Sequence, residues 1–383
     1  MVNNGNLNIL VLIGTRKGGF ILQSDRKRQS WQISGPMFKG WNVMHMTFDP
    51  RHLRMHAAVV HDVFGPSTHF SDDFGRSWKQ GEAPSFPRPS KSTRPLGTPE
   101  EVKSPREIDV EKVLKVWHIK SAGEDQPGVL YAGVEPAAFF TSNTNGETWE
   151  LNQSLYDHPH RSEWMPGAGG LCLHTILPDP SDTNRIYVAI SAGGCYRTDD
   201  GGNSWTPYNK NVRADFLPEK FPEYGHCVHK MVLHPSNPEV IFQQNHCGVY
   251  RTDNQGGDWN DIGEGKLPSR FGFPIAIHPH QPETVYVVLE ESDQYRLSVD
   301  GAFAVWRSQD SGDNWERLTR GLPKQAHLTV LREAMATDQL EDAGIYLGTT
   351  TGQVFASTNS GDDWKSIADY LPRILSIETA TIE

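Results

Sequence analysis

The octapeptide SDDFGRSW at 71–78 recurs along the chain, and its spacing predicts the architecture. Further copies are SNTNGETW at 142–149, TDDGGNSW at 198–205, TDNQGGDW at 252–259, SQDSGDNW at 308–315 and STNSGDDW at 357–364, with a degenerate copy, SDRKRQSW, at 24–31. Each begins with Ser or Thr and ends with Trp, and all but the degenerate copy have Gly at the fifth position. Successive closing tryptophans lie 47, 71, 56, 54, 56 and 49 residues apart. The repeat unit is therefore about 50 residues long, with one large insertion.

Alternating apolar stretches precede most copies and predict short antiparallel strands. Examples are RIYVAISAGGCYRT at 185–198, VIFQQNHCGVYRT at 240–252 and IYLGTTTGQVFAS at 345–357, each giving two strands joined by a tight turn. A strand before each pair and an outer strand after the Trp complete four per unit. Seven such units predict an all-β fold, a seven-bladed β-propeller of four-stranded antiparallel blades that forms a single domain over 1–383.

The two ends of the chain are predicted to share the first blade. ILVLIGTRKGGFILQSD at 9–25 supplies the second and third strands of a blade but not the first. RILSIETAT at 373–381 follows the last octapeptide and is a spare first strand. The N- and C-terminal strands should therefore close the propeller, and truncation at the C-terminus should be costly because it opens a sheet edge.

Charge and composition exclude several classes of partner. The 383 residues carry 36 Lys and Arg against 47 Asp and Glu, a net charge of −11, and nucleic-acid binding needs a basic surface. No apolar run approaches the roughly 18 residues of a membrane span. Four cysteines are too few for a disulfide framework, and no signal peptide is evident. We expect a cytoplasmic protein with no nucleic-acid or membrane partner; the sequence does not indicate its oligomeric state.

The octapeptides resemble the Asp-box, or BNR repeat, of sialidases, sortilin-type receptors, some xyloglucan hydrolases and a photosystem II assembly factor. GTRKGGF, PGAGGLCLHTI, QNHCGVYRTD and LREAMATD also resemble bacterial proteins labelled glycosyl hydrolase or exo-sialidase. The resemblance implies a propeller in which the box carboxylates, such as Asp73, Asp200 and Asp310, are structural. Sialidases carry an arginine triad with an early RIP motif. Here Arg16 and Lys17 are the only early candidates and no RIP follows, so classical sialidase activity is not expected.

Four histidines share one position in successive units and define a candidate site. The segments VMHMT, VWHIK, CLHTI and CVHKM contain His45, His118, His174 and His229. Innermost strands line the channel of a propeller, so these imidazoles should surround one mouth of it. We predict that His118, His174 and His229 bind Zn²⁺ or Mn²⁺ with one position open, because imidazole suits such metals. The alternative is four separately hydrogen-bonded histidines.

Turns facing the same mouth add polar residues. Glu135, His246, Glu290 and Arg332 are predicted to be catalytic, and Arg16, His45, His61 and Arg161 are predicted to line the pocket. Without a metal, His and Glu would act as acid and base on a carboxylate held by Arg332 or Arg16. The insertions 79–112, 156–170 and 208–226 are placed on this face. Cys172 and Cys227 each precede a histidine by two residues; packing in a narrow channel is favoured there over zinc ligation.

These residues predict a hydrolase or lyase that acts on a carbohydrate-like or carboxylated small molecule, with or without a metal. The octapeptides occur in enzymes and non-enzymes alike, so fold does not decide function. The alternative is a non-enzymatic propeller that serves as a protein-binding or assembly scaffold.

Overall fold

The chain folds almost entirely into antiparallel β-sheet, in a computed structural model that describes residues 8–87, 112–167 and 169–382. Five of the sheets contain four strands and one contains eight. Within these ranges the helical segments are α1 (Gln153–Tyr156) and two 3₁₀ turns, Pro159–Glu163 and Val299–Gly301. Among the described residues, helices are too short or too polar to cross a membrane. The predicted all-β class is confirmed.

The eight-stranded sheet joins the two ends of the chain. Its strands are β1 (Asn8–Thr15), β2 (Gly18–Asp25), β3 (Gln32–Met37), β24 (Val330–Thr337), β25 (Ile345–Thr349), β26 (Val354–Ser357), β27 (Lys365–Ala368) and β28 (Ile374–Ile382). They follow the order β27-β26-β25-β24-β28-β1-β2-β3. β28 pairs antiparallel with β1 from Thr15↔Ile374 to Asn8↔Ile382. Between β24 and β28 there is one parallel bridge, Glu333↔Ser376. The C-terminal strand therefore completes a group with the first three strands, as the sequence predicts.

Each of the other five sheets is built from four consecutive strands. They are β4 (Asn42–Asp49), β5 (Arg54–His61), β6 (Gly65–Ser71) and β7 (Lys79–Gln80); β8 (Lys115–Ser121), β9 (Leu130–Glu135), β10 (Ala138–Ser142) and β11 (Glu150–Leu151); β12 (Leu173–Asp179), β13 (Asp182–Ile190), β14 (Gly194–Thr198) and β15 (Thr206–Pro207); β16 (Val228–His234), β17 (Asn237–Asn245), β18 (Gly248–Thr252) and β19 (Asn260–Asp261); β20 (Gly272–His278), β21 (Gln281–Leu289), β22 (Val305–Ser308) and β23 (Glu316–Leu318). The fourth strand of each is short, which matches the brief outer strand predicted after each Trp.

The repeated octapeptide forms a turn held by its own side chains. In the first copy, the Ser71 hydroxyl accepts the Gly75 N–H (2.9 Å), and Asp73 accepts the Ser77 N–H (2.8 Å). Gly75 has φ +83°, a conformation that costs a side-chain-bearing residue energy. Hydrogen bonds from Ser77 lower the pKa of Asp73 to about 2, and Ser204 does the same for Asp200. These carboxylates are occupied in their turns, which is a structural role.

In four copies, the tryptophan that ends the octapeptide donates an indole hydrogen bond to the preceding repeat. The indole N–H of Trp205 donates to Asn152 Oδ1 (3.0 Å), and that of Trp259 donates to the Tyr208 carbonyl (2.9 Å). Their rings are buried among apolar side chains of adjacent sheets. Burial of such large rings supplies much of the apolar contact between neighbouring repeats.

Candidate functional site

Two adjoining cavities lie next to the predicted site residues. One has a volume of about 700 Å³ and the other about 570 Å³. They share Gly169, Phe273, Arg296 and Arg332 in their walls, so the two cavities are adjacent, and we describe them as two chambers of one candidate site. Both volumes lie in the range of small-molecule sites. We call the larger one the cysteine chamber and the smaller one the arginine chamber, after the residues described below.

The predicted insertions contribute to the cysteine chamber. Met165 and Gly169 come from the 156–170 insertion, and Phe216 and Tyr224 come from the 208–226 insertion. Of the predicted 79–112 insertion, residues 88–111 lie outside the described part of the chain, as does Ala168. Long connections that line a cavity are commonly functional.

Four arginines line the arginine chamber: Arg16, Arg296, Arg332 and Arg373. Within the described ranges, no carboxylate lies within salt-bridge distance of any of them. Burial and the neighbouring Arg16 lower the pKa of Arg373. In a chain of net charge −11, this concentration of unpaired positive charge indicates an anion-binding chamber. Two of the four, Arg16 and Arg332, are predicted from the sequence.

Arg332 lies between two aromatic rings in the wall shared by both chambers. Its guanidinium carbon is 5.4 Å from the centre of the Trp117 ring and 5.8 Å from that of Phe273. Nη1 donates to Cys172 Sγ at 3.6 Å. Burial raises the pKa of Cys172 to about 12, so this thiol is uncharged and does not neutralise the arginine. The guanidinium is therefore held in place by neutral groups, none of which compensates its positive charge.

Glu135 supports the arginine chamber. Its Oε2 accepts hydrogen bonds from Lys115 Nζ (2.7 Å) and from the Trp117 indole N–H (2.8 Å). Lys115 and Trp117 both line the chamber. The predicted catalytic role of Glu135 stays a prediction, and in this structure its carboxylate holds Lys115 and Trp117 in place.

Glu290 is a buried carboxyl beside the arginine chamber. Neither carboxylate oxygen has a hydrogen-bond partner within the described part of the chain. Burial raises its pKa to about 7, although Arg296 and Arg373 act against that shift. A carboxyl that titrates near neutrality suits acid–base chemistry, and perturbed groups cluster at functional sites. Glu290 therefore remains a candidate for its predicted role, although it is not itself in the wall of either chamber.

We expect Glu290→Gln to stabilise the protein in mildly alkaline solution. Because the folded pKa is raised, the stability that this carboxyl contributes is complete below about pH 4.5 and is lost as the pH rises through about 7. The loss amounts to about 3 kcal/mol. Urea unfolding should show the variant gaining up to about that amount near pH 8 and little near pH 5. The neighbouring exposed Glu291→Gln is the control. An equal gain for Glu290→Gln at both pH values would contradict the buried-carboxyl interpretation.

Cys227, His229 and His246 form a compact group in the cysteine chamber. Their ligand atoms lie within 4.8 Å of one another, and all three residues line the chamber. Cys227 immediately precedes β16, and His229 lies within it at a register shift between Val228 and Lys230. The pairing of Val228 with Asn245 brings His246 beside them. Asp293 Oδ2 lies 3.5 Å from His246 Nε2.

The three groups strongly alter one another's titration. Burial alone would raise the pKa of Cys227, but His229 and His246 lower it well below its usual value. Burial lowers the pKa of His229, while Cys227 and Asp293 raise that of His246 against the effect of burial. The group therefore has a thiol that ionises readily between two imidazoles, a combination suited to metal ligation or nucleophilic chemistry.

A second group, His45, His118 and Glu333, is buried beside the arginine chamber, and Glu333 forms part of the chamber wall. Glu333 Oε2 is 3.4 Å from His118 Nδ1, 4.0 Å from His45 Nε2, and in close contact with Lys230 Nζ. His45 Nε2 also lies 3.4 Å from Glu378 Oε1. Burial lowers the pKa of His118 to about 4. The ammonium of Lys230 supplies the positive charge that the carboxylate requires.

The predicted metal ligands are not brought together. His118 belongs to the group with Glu333, His229 to the group with Cys227, and His174 to neither. Fully buried His174 contacts the Val228 carbonyl through Nε2 (2.9 Å) and Thr175 Oγ1 through Nδ1 (3.0 Å), so both nitrogens are occupied. The prediction that these three histidines form one metal-binding triad is wrong. Residues at the same position in successive repeats need not point their side chains toward one common point.

Three of the four predicted pocket residues lie outside the walls of the two chambers. His61 closes its own turn: Nδ1 accepts the Val63 N–H (3.0 Å), and its ring packs on Trp41. Arg161 lies over the Tyr156 ring at 4.3 Å and donates to the Ala137 carbonyl. Both assignments are therefore corrected. His45 is enclosed in the Glu333 group and is likewise absent from the walls.

Several residues of the cavity were not predicted from the sequence. The sequence favours packing for Cys227, although its spacing of two residues from His229 indicates a shared strand face. Trp117 is next to His118 in VWHIK. Side chains alternate along a strand, so the sequence places Trp117 on the face of β8 opposite to His118. Arg296 and Arg373 lie outside the named strands and follow no periodicity, so no local signal marks them.

Comparisons with known proteins support the fold and indicate a distant relation to carbohydrate hydrolases. No family model matches the chain. Its curated relatives are xyloglucanases. One is the probable oligoxyloglucan-reducing end-specific xyloglucanase of Neosartorya fischeri, 20% identical over 226 residues, which covers 55% of this chain and 25% of that protein. The chain thus spans about a quarter of the length of that relative.

Solved structures give a similar result. The crystal structure of an ancestral GH74 enzyme has a TM-score of 0.55 and 16% identity, covering 85% of this chain and 38% of that one. YCF48 bound to a D1 peptide has a TM-score of 0.49 and 14% identity, covering 85% and 80%. The neighbours are β-propellers, so the comparison with the GH74 enzyme supports the propeller fold and nothing finer.

Proposed function

We propose that this chain is a seven-bladed propeller enzyme that hydrolyses or eliminates a carboxylated, carbohydrate-like small molecule in the two-chamber cavity. The single observation that carries the proposal is the set of four unpaired arginines in one chamber of an acidic protein. A planar guanidinium binds a carboxylate through two parallel hydrogen bonds, which makes arginine the suitable residue for this task. Counting the eight-stranded sheet as two units gives the seven blades.

The walls suit a sugar ring that carries such a carboxylate. Trp117 and Phe273 offer aromatic faces, while Lys115 and the arginines offer hydrogen-bond donors. Small-molecule sites combine this kind of apolar wall with a few placed polar groups. With the carboxylate in the arginine chamber, the remainder of the ligand extends past Arg332 toward Cys227 and His246. Relation to xyloglucanases, which act on a carbohydrate by their printed names, favours a glycan-like substrate class.

The test compares charged and neutral ligands of the same shape. We expect calorimetric binding of a para-nitrophenyl glucuronide to be at least about tenfold tighter than that of the matching glucoside, and Arg332→Met to weaken it by about 10–100-fold. Arg320→Met, an exposed arginine paired with Asp363 away from the cavity, is the control. Release of para-nitrophenol reports hydrolysis. Equal affinity for the neutral glycoside, or an unaffected Arg332→Met variant, would reject the proposal.

A second candidate is a non-enzymatic binding module. Large apolar side chains at the rim of the cysteine chamber are exposed, Met165 by 68% and Phe216 by 45%, and protein-binding surfaces expose such residues. This function predicts that Met165→Ser abolishes retention of a partner while ligand carboxylates have no effect. The unpaired arginines are not explained by it, so the enzyme is the preferred proposal.

A further inference from the structure

We propose that Cys227, His229 and His246 bind one zinc ion whose fourth coordination position faces the cysteine chamber. The three ligand atoms already lie within 4.8 Å of one another. Small side-chain rotations close this spacing to the roughly 3.5 Å edge of a zinc tetrahedron with Zn–S near 2.3 Å and Zn–N near 2.0 Å. The site is thus pre-assembled by two paired strands, β16 and β17.

The histidines already have the outer contacts that orient metal ligands. His229 Nδ1 donates to the Gly272 carbonyl at 2.6 Å, because a carbonyl oxygen can only accept. That leaves His229 Nε2 as a lone-pair donor. His246 Nε2 lies 3.5 Å from the Asp293 carboxylate, which leaves Nδ1 for the metal. Metal-binding histidines characteristically donate their second ring N–H to a carbonyl or carboxylate in this way.

The donor set favours zinc over manganese. A thiolate with two imidazoles matches zinc, whereas manganese prefers carboxylate and water oxygens. The other three-residue group, His45, His118 and Glu333, is a poorer site, because Lys230 Nζ contacts the carboxylate oxygen that a cation would use. Zinc is therefore assigned to Cys227, His229 and His246 alone.

The open position determines what the metal would do. Structural zinc sites are closed by four protein ligands, while three ligands and an open position are typical of catalytic ones. Among the described residues, the group with Cys227 has three ligands, and all three line the chamber that Arg332 also lines. The position would accept a water molecule or an anionic oxygen of the ligand. When bound, zinc supplies Lewis acidity and lowers the pKa of a bound water.

Metal binding is tested on the full chain without any substrate. The protein is stripped with a chelator, dialysed against Zn²⁺ and analysed for metal content. We expect about one zinc per chain in the wild type and in Cys247→Ser, a neighbouring cysteine outside the group. Cys227→Ser and His246→Gln should weaken zinc binding at least about hundredfold. Circular dichroism establishes that each variant is folded.

Cobalt substitution and alkylation test whether the Cys227 thiolate is bound to the metal. Co²⁺ loading should give a thiolate-to-metal charge-transfer band that is absent in Cys227→Ser, and zinc should protect Cys227 from iodoacetamide. Zinc content no higher in the wild type than in Cys227→Ser, or rapid alkylation that zinc does not slow, overturns the proposal. The latter result would indicate a free nucleophilic thiolate. The zinc proposal does not rest on the proposed substrate class. Glucuronide binding depends on Arg332, whereas zinc binding depends on Cys227. A negative result in one of these two experiments therefore leaves the other proposal standing.

Discussion

A chain that ends at Arg373, without strand β28, is expected not to fold cooperatively at room temperature. The deletion exposes the hydrogen-bonding edge of β1 along its whole length and removes the bridge to β24. It also removes Ile374, Ile377 and Ile382, all at most 5% exposed. Loss of a buried isoleucine side chain costs about 2–5 kcal/mol, so three cost about 6–15 kcal/mol. That equals the whole stability of a typical domain, about 5–15 kcal/mol.

The measurement is urea unfolding followed by tryptophan fluorescence, with point variants that grade the effect. Ile377→Ala should lower the free energy of unfolding by about 2–5 kcal/mol. Thr381→Ala, on the same strand at a half-buried position, should change it by less than about 0.5 kcal/mol. A synthetic peptide of residues 374–383 should restore a cooperative transition to the truncated chain. A truncated chain with the wild-type midpoint would show that β28 does not close the fold.

The sequence predicts the strands and turns well because their causes are local. The last five residues of β13 and of β17 are all buried, so a short continuous run marks each of these strands. The octapeptide turn is held by bonds within four residues, as between Ser71 and Gly75. The pairing of β28 with β1 is not local, but it follows from counting strands. The first repeat lacks its innermost strand, and the C-terminal strand belongs to no other repeat. In a repeat protein, local strand and turn patterns can therefore predict which distant strands pair.

The candidate site is predicted only in part because it depends on side-chain direction and on loops. His174 and His229 occupy the same register, yet His174 turns to the Val228 carbonyl while His229 faces the chamber. The charge state of Cys227 depends on His246 from the next strand, a contact that the spacing of Cys227 and His229 does not reveal. Arg296 and Arg373 reach the arginine chamber from connecting segments without periodicity. A register shared by several strands predicts proximity to an axis, not convergence on one point.

Lys230 and Glu333 illustrate the same limit, since they lie on different sheets and meet only through closure of the fold. Glu333 is almost fully buried, and although burial alone would raise its pKa, Lys230 and His118 hold it well below the usual range. The carboxylate is thus ionised in the folded protein and balances the buried ammonium. Removal of one partner from such a pair leaves an uncompensated charge, whereas removal of both is often harmless.

We therefore expect Glu333→Gln to lower the free energy of unfolding by about 3–5 kcal/mol near neutral pH, because Lys230 loses its counter-charge away from water. Lys230→Met should cost a similar amount, since it removes the positive charge that compensates the buried carboxylate of Glu333. The double variant, Lys230→Met with Glu333→Leu, should recover at least half of either loss, and a double-mutant cycle from urea unfolding gives the coupling energy. The exposed Glu341→Gln serves as the control. Additive effects of the two single changes would mean that the charges act independently, and the buried pair would then have no part in holding β16 against β24.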